Sequence, residues 1–167
     1  MPEGLQHPNN AIVVMGLHGA SPKPVEYSLG TIETGHDAEQ LAGKLVQFDD
    51  VDILTVKLAE AGTYAIGFLD VLPDKRHDVP FVTADAGPPI VKADRLKVVM
   101  GECIMLAPIA AGQDISAGDF LEPANDGYFQ AQTTGMCVGQ ALEDSNITAC
   151  NTVLVHFFKC PPPSNPM

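Results

Sequence analysis

The chain predicts a mainly β fold: a compact antiparallel β-barrel or sandwich with an extended N-terminal arm and at most one or two short helices. Three observations carry this. Its apolar runs are short and rich in β-branched residues. Gly, Pro, Asn and Asp interrupt them throughout, with 15 Gly and 14 Pro among 167 residues. The apolar fraction is 46% against a charged fraction of 18%, the balance of a chain that buries a core.

Taken in order, residues 1–24 form an extended arm with one possible strand, Ala11-Ile-Val-Val-Met-Gly-Leu17. Ser21-Pro22-Lys23-Pro24 then holds the backbone extended, because proline also restricts the residue before it. An N-terminal β-rich lobe spans 25–95. It opens with a strand over 25–32 and a short helix over 37–43, capped by Asp37 and closed by Gly43. Ile53-Leu-Thr-Val-Lys-Leu58 alternates with period two, placing Leu54, Val56 and Leu58 on one face. A turn at Glu60-Ala61-Gly62 makes it a hairpin with residues 63–69. A charged loop over 70–78 and a short strand over 79–83 follow, and residues 91–100 lead into the second lobe.

That lobe, a small β-barrel, spans 96–159. Asn125-Asp126-Gly127 is a hairpin turn, since these residues tolerate positive φ. Ser116-Ala117-Gly118-Asp119 is a tight turn entering a strand. The Pro-rich tail 160–167 cannot join a sheet. Residues 42–46 resemble 117–121, and Tyr64-Ala-Ile-Gly67 resembles Met136-Cys-Val-Gly139, which reads either as a weak internal repeat of the lobes or as coincidence in a Gly-rich β chain. Cys137, Gly139 and Ala141, like Ala65 and Gly67, put small residues at alternate positions, where neighbouring backbone can approach or a small barrel can close.

The formal net charge is −12, and from Val98 to Phe158 there is no Lys or Arg. Nucleic-acid binding requires a basic footprint, so that class is excluded. The N-terminus lacks the pattern of a signal peptide and no apolar run approaches a membrane span, so a chain made in the cytoplasm is expected. Cys103, Cys137, Cys150 and Cys160 lack zinc-site spacing, and the first two fall in strands as buried small residues.

Candidate chemistry is sparse. His7, His18, His36, His77 and His156 include no His-x-His pair of the kind a barrel metal site needs. His156 falls in an apolar strand, as a core or interface residue. Asp49, Asp50 and Asp52 can offer oxygens to calcium but lack the spaced loop pattern, and Asp74 to Asp78 is a surface loop. No nucleophile elbow, phosphate loop or dinucleotide fingerprint is present. The expectation is no enzyme, no catalytic or metal-binding residues and no cofactor.

Four segments bear a resemblance. These are residues 109–121 (Ile-Ala-Ala-Gly-Gln-Asp-Ile-Ser-Ala-Gly-Asp-Phe-Leu), 125–131 (Asn-Asp-Gly-Tyr-Phe-Gln-Ala), 135–144 (Gly-Met-Cys-Val-Gly-Gln-Ala-Leu-Glu-Asp) and 152–157 (Thr-Val-Leu-Val-His-Phe). Their progression resembles the capsid decoration, or cement, proteins of tailed bacteriophages. The resemblance covers roughly residues 96–158, and 41–70 more faintly. One departure is Ala149-Cys150-Asn151, where the pattern carries Gly. The resemblance implies a small β-barrel on the outer surface of the virion, bound to the major capsid protein and bridging its subunits. It also implies a homo-oligomer, a trimer favoured over a dimer, with residues 1–24 and 160–167 as arms. The alternatives are a carbohydrate- or ligand-binding β-module on a virion, which the absence of Trp disfavours, and a metal-dependent β-barrel enzyme.

Overall fold

A computed structural model describes residues 13–16, 25–31, 41–49, 55–69, 95–145 and 152–158. Among them lie eleven strands: β1 (Val13–Gly16), β2 (Val25–Thr31), β3 (Leu45–Phe48), β4 (Thr55–Leu58), β5 (Gly67–Leu69), β6 (Arg95–Val99), β7 (Cys103–Pro108), β8 (Phe120–Pro123), β9 (Phe129–Ala131), β10 (Gly139–Ala141) and β11 (Thr152–Phe157). A single 3₁₀ turn, Asn125–Gly127, joins β8 to β9. The mainly β expectation holds.

Five strands close into a barrel in the order β2-β4-β3-β5-β6, and the other six form a sheet ordered β1-β7-β11-β10-β8-β9. That sheet also curls back on itself. Beyond β7, Ile109 makes a parallel bridge to Phe129 of β9, and the Ala110 amide donates to the Phe129 carbonyl at 2.8 Å. The second ring is therefore β7-β11-β10-β8-β9, with β1 added along an edge of β7.

The two rings have one topology. In each, the first strand pairs antiparallel with the last, the last with the fourth, the fourth with the second and the second with the third. The third then runs parallel to the first, as β4 beside β2 and as the Ile109–Phe129 bridge. Registers also coincide. Val46 faces Gly67 and Leu58 as Leu121 faces Gly139 and Ala131, and Leu29 faces Val56 as Ile109 faces Phe129. Gly43 and Gly118 share positive φ, 75° and 98°, and donate to Leu69 and Ala141, each at 2.8 Å. The repeat that the sequence left open against coincidence is a duplicated barrel.

Period-two alternation fills each interior. Val46, Val56, Ile66, Leu69 and Val98 form the core of the first barrel. Their counterparts Leu121, Phe129, Val138, Ala141 and Val155 are buried in the second. The larger core does not stop at the second barrel, however. It takes in Leu45, Ala59, Ala65, Phe68 and Val99, of which Leu45, Phe68 and Val99 alternate with interior positions and so face outward from the first barrel. Phe68 meets Phe157 edge-to-face, centroids 4.9 Å apart. Each large apolar side chain buried in this way contributes about 1.5–3 kcal/mol, so the barrels share a stabilising core.

Polar contacts fasten the same junction. The 3₁₀ turn donates its Gly127 amide to the Ala59 carbonyl at 2.9 Å, while Asn125 Oδ1 accepts the Ala61 amide at 3.1 Å. Lys44 Nζ sits 4.2 Å from the centre of the Tyr128 ring.

Several expectations change. β4 and β5 do not form a hairpin: both pair with β3, one on each side, because the Glu60–Ile66 connection crosses the end of the barrel instead of folding back. β6 completes the first barrel, so that unit runs past the expected boundary at 95. β1 lies within the expected N-terminal arm, yet it pairs antiparallel with β7 of the second lobe, filling an edge that would otherwise expose unpaired backbone groups. Of the expected helix, Leu41 is helical and residues 42–43 form the turn that follows, with the Lys44 amide donating to Leu41 at 3.2 Å, as Asp119 donates to Ser116 in the second copy at 3.0 Å. Residues 37–40, the 79–83 strand, the 70–78 loop and the 160–167 tail lie outside the described residues.

Candidate functional site

Residues from two of the segments that carry the resemblance, 109–121 and 135–144, meet at one corner of the second barrel, where the loop before β8 meets the loop after β10. Asp119 Oδ2 accepts the Ser116 amide at 2.9 Å, which tightens the turn, and Asp144 Oδ1 accepts the Ala117 amide at 2.8 Å from the facing loop. Ser145 Oγ accepts from the Ile115 amide at 2.9 Å and donates to the Gln113 carbonyl at 3.2 Å. Gln140 Nε2 donates to the Gly118 carbonyl at 2.9 Å. Glu143 Oε1 accepts the Leu154 amide at 2.8 Å, tying the same loop to the last strand.

In each case a polar side chain satisfies a backbone group of a turn or of the adjoining strand. The corner is a brace. Ser145 is engaged on both sides, so its hydroxyl is committed to structure.

On the outer side of β8, covered by the loop after β9, lies a buried polar residue. Glu122 is buried, and its carboxylate accepts from Gln130 Nε2 at 2.9 Å, from the Thr133 amide at 3.1 Å and hydroxyl at 2.9 Å, and from the Gly135 amide. Burial pushes its pKa up, but these donors outweigh it and hold the carboxyl below the usual range. The repeat contained the signal for it. Glu122 corresponds to Gln47, whose Oε1 accepts the Glu60 amide at 3.2 Å, and Glu60 corresponds to Thr133.

The expected candidates are placed as follows. His156 lies on the outer face of β11, partly exposed, 2.7 Å from Glu102 Oε1 and edge-on to Phe158. Cys103 and Cys137 are buried thiols, and Cys137 Sγ lies 3.5 Å from the Gly139 carbonyl. Asp49 follows β3 and its amide donates to the Thr55 carbonyl at 2.9 Å. His7, His18, His36, His77, Asp50, Asp52, Asp74, Asp78, Cys150 and Cys160 lie outside the described residues. Among the described residues no group of three or more His, Cys, Asp or Glu is placed to hold a metal ion. No helix there is long and apolar enough to cross a membrane.

No family model matches the chain, and no curated protein matches it. Among solved structures it is similar to the N base of the head fiber gp8.5 of bacteriophage phi29. The two share 17% identity at a TM-score of 0.47, over 83% of this chain and 99% of that one, an overlap too loose to show a shared fold.

Proposed function

We propose that this chain is a structural protein of a tailed-phage virion, one that binds the outer surface of the capsid and stabilises it by bridging neighbouring subunits of the major capsid protein. The observation that carries this reading is the residue progression over 109–121, 125–131, 135–144 and 152–157, which resembles the capsid decoration family. The use to which those residues are put supports it. Asp119, Glu143, Asp144 and Ser145 hold backbone amides, and Asn125 and Gly127 fasten one barrel to the other. A braced body built in this way suits binding to a surface rather than turning over a substrate.

Charge favours the same kind of partner. With a formal net charge of −12, the chain is steered towards a basic surface and away from nucleic acid. It acts without a cofactor: a ligand that binds only the assembled shell stabilises it by mass action.

The test is to heat purified heads with and without the protein. The expected result is saturable binding, weaker as salt rises, and disruption of the head at a higher temperature. Absence of binding together with unchanged heat resistance refutes the proposal.

A further inference from the structure

Asp126 is followed by Gly127, and no other Asp or Asn in the chain precedes a glycine. The pair has a chemistry of its own, because glycine carries no Cβ to shield its amide nitrogen. That nitrogen can attack Cγ of the Asp126 carboxyl group. A C–N bond forms, the carboxyl hydroxyl leaves as water with the amide proton, and a succinimide ring closes. Water then opens the ring on either side of the nitrogen. One opening restores aspartate, and the other leaves the main chain running through Cγ as an isoaspartyl link. A water is lost and a water regained, so no outside reagent is needed.

In the folded chain the electrophile is free and the nucleophile is not. Asp126 is exposed, and its carboxylate has no hydrogen-bond or ion-pair partner among the described residues. Gly127 is buried, and its amide is committed to the Ala59 carbonyl at 2.9 Å. The backbone angle opposes ring closure as well. Closure requires the Gly127 nitrogen to eclipse Cβ about the Asp126 Cα–C bond. At φ 57° and ψ 28° that nitrogen lies on the far side of the bond from Cβ. Among the described residues Asp126 is the one residue other than glycine with positive φ, a conformation that the surroundings must hold in place.

The first barrel does the holding. Ala59 takes the Gly127 amide, the Ala61 amide donates to Asn125 Oδ1 at 3.1 Å, and Lys44 Nζ lies 4.2 Å from the centre of the Tyr128 ring. Each of these contacts crosses between the barrels. We infer that Asp126–Gly127 is a site of spontaneous isoaspartate formation gated by the barrel junction, closed while the barrels are docked and open when they part. The change is one-way in its effect. An isoaspartyl link adds a methylene to the main chain, in a turn so closely fitted that a Cβ on Gly127 would lie 2.6 Å from the Leu45 carbonyl. A chain modified while open cannot restore the Gly127–Ala59 hydrogen bond in register, so the isoaspartate records the opening. The inference does not rest on the virion reading and is tested without capsids.

The experiment incubates the full chain at neutral pH and follows residue 126 by peptide mapping, with fragmentation that tells isoaspartate from aspartate. Wild type is compared with Asn125→Ala, which removes the tie to Ala61, and with Val56→Ala, which opens a cavity inside the first barrel away from the turn. Each folded chain is referred to the same chain unfolded in urea, and circular dichroism and thermal unfolding check that the variants fold. Modification of a transiently opened state tracks its population, so native wild type should form isoaspartate roughly tenfold or more slowly than the unfolded chain. Asn125→Ala should raise the native rate severalfold, and more than Val56→Ala does. A native wild type that isomerises as fast as the unfolded chain overturns the inference, as does an unfolded chain that forms no isoaspartate at 126. A Val56→Ala rate equal to or above that of Asn125→Ala also overturns it, since global unfolding would then be the gate.

Discussion

At the scale of single residues, the buried carboxylate of Glu122 is the side chain whose chemistry matters most to the fold. It gathers donors from Gln130, Thr133 and Gly135, so both oxygens are engaged. Replacing it by Gln turns one acceptor into a donor that faces other donors, which costs about 1–3 kcal/mol at neutral pH. The pH dependence follows from the lowered pKa. A group held below its ordinary value of 4.5 in the folded chain contributes stability that is complete above that value. The contribution is lost as pH falls through the lower folded value. Denaturant titrations of wild type and Glu122→Gln should therefore differ most near neutrality and converge on acidification. A gap independent of pH would mean that the carboxylate charge is not what the site uses.

At the scale of elements, a glycine governs how the fourth strand of each barrel meets the last. A Cβ on Gly139 would lie 2.7 Å from the His156 carbonyl and 2.8 Å from Val155 Cγ1. One on Gly67 would press on the Val99 carbonyl and Val98 Cγ1 in the same way. In both cases the obstacle includes backbone of a paired strand, which cannot swing aside without loss of ladder hydrogen bonds. Gly139→Ala and Gly67→Ala should each destabilise by about 1–3 kcal/mol, as overpacking does. Thermal unfolding measures it, and an unchanged midpoint in both would show that the strands separate freely. Gly127 plays a different part at the junction, where φ is +73° and a Cβ would sit 2.6 Å from the Leu45 carbonyl.

At the scale of the whole molecule, one core couples two barrels. Phe68 belongs to the first barrel by its strand and to the second by its packing, against Phe157. Unfolding should accordingly be a single cooperative transition, with calorimetric and van't Hoff enthalpies in agreement. Phe68→Ala removes the contact and leaves a cavity, at a cost of about 3–5 kcal/mol. Near-UV circular dichroism and calorimetry should then show a lowered midpoint or two separated transitions. A wild type that already melts in two steps would mean that the junction does not couple the barrels.

Much of this was legible in the chain. Short β-branched runs with period-two alternation identify strands and their inner faces, as Val56 and Leu58 illustrate. Gly43 and Gly118, Gly67 and Gly139 mark the duplicated turns and close approaches, because only glycine meets those backbone demands. What the chain left open is non-local. Local pattern says which residues share a face, but not which strand lies beside it or what covers it. Nothing near Leu45 or Phe68 reveals that their outward side chains are core, since the cover comes from a distant stretch of sequence. For the same reason β4 and β5, neighbours in sequence, are separated by β3, and β1 crosses to the far lobe. Glu122 resembles any surface acid until Gln130, Thr133 and Gly135 fold round it. The sequence by itself determined the β class, the turns and the acidic charge, all properties of composition or of neighbouring residues, and left the repeat open until the strand registers showed it. Only the tertiary structure decided the strand order and which outer face is buried, because those depend on contacts between residues far apart in the chain.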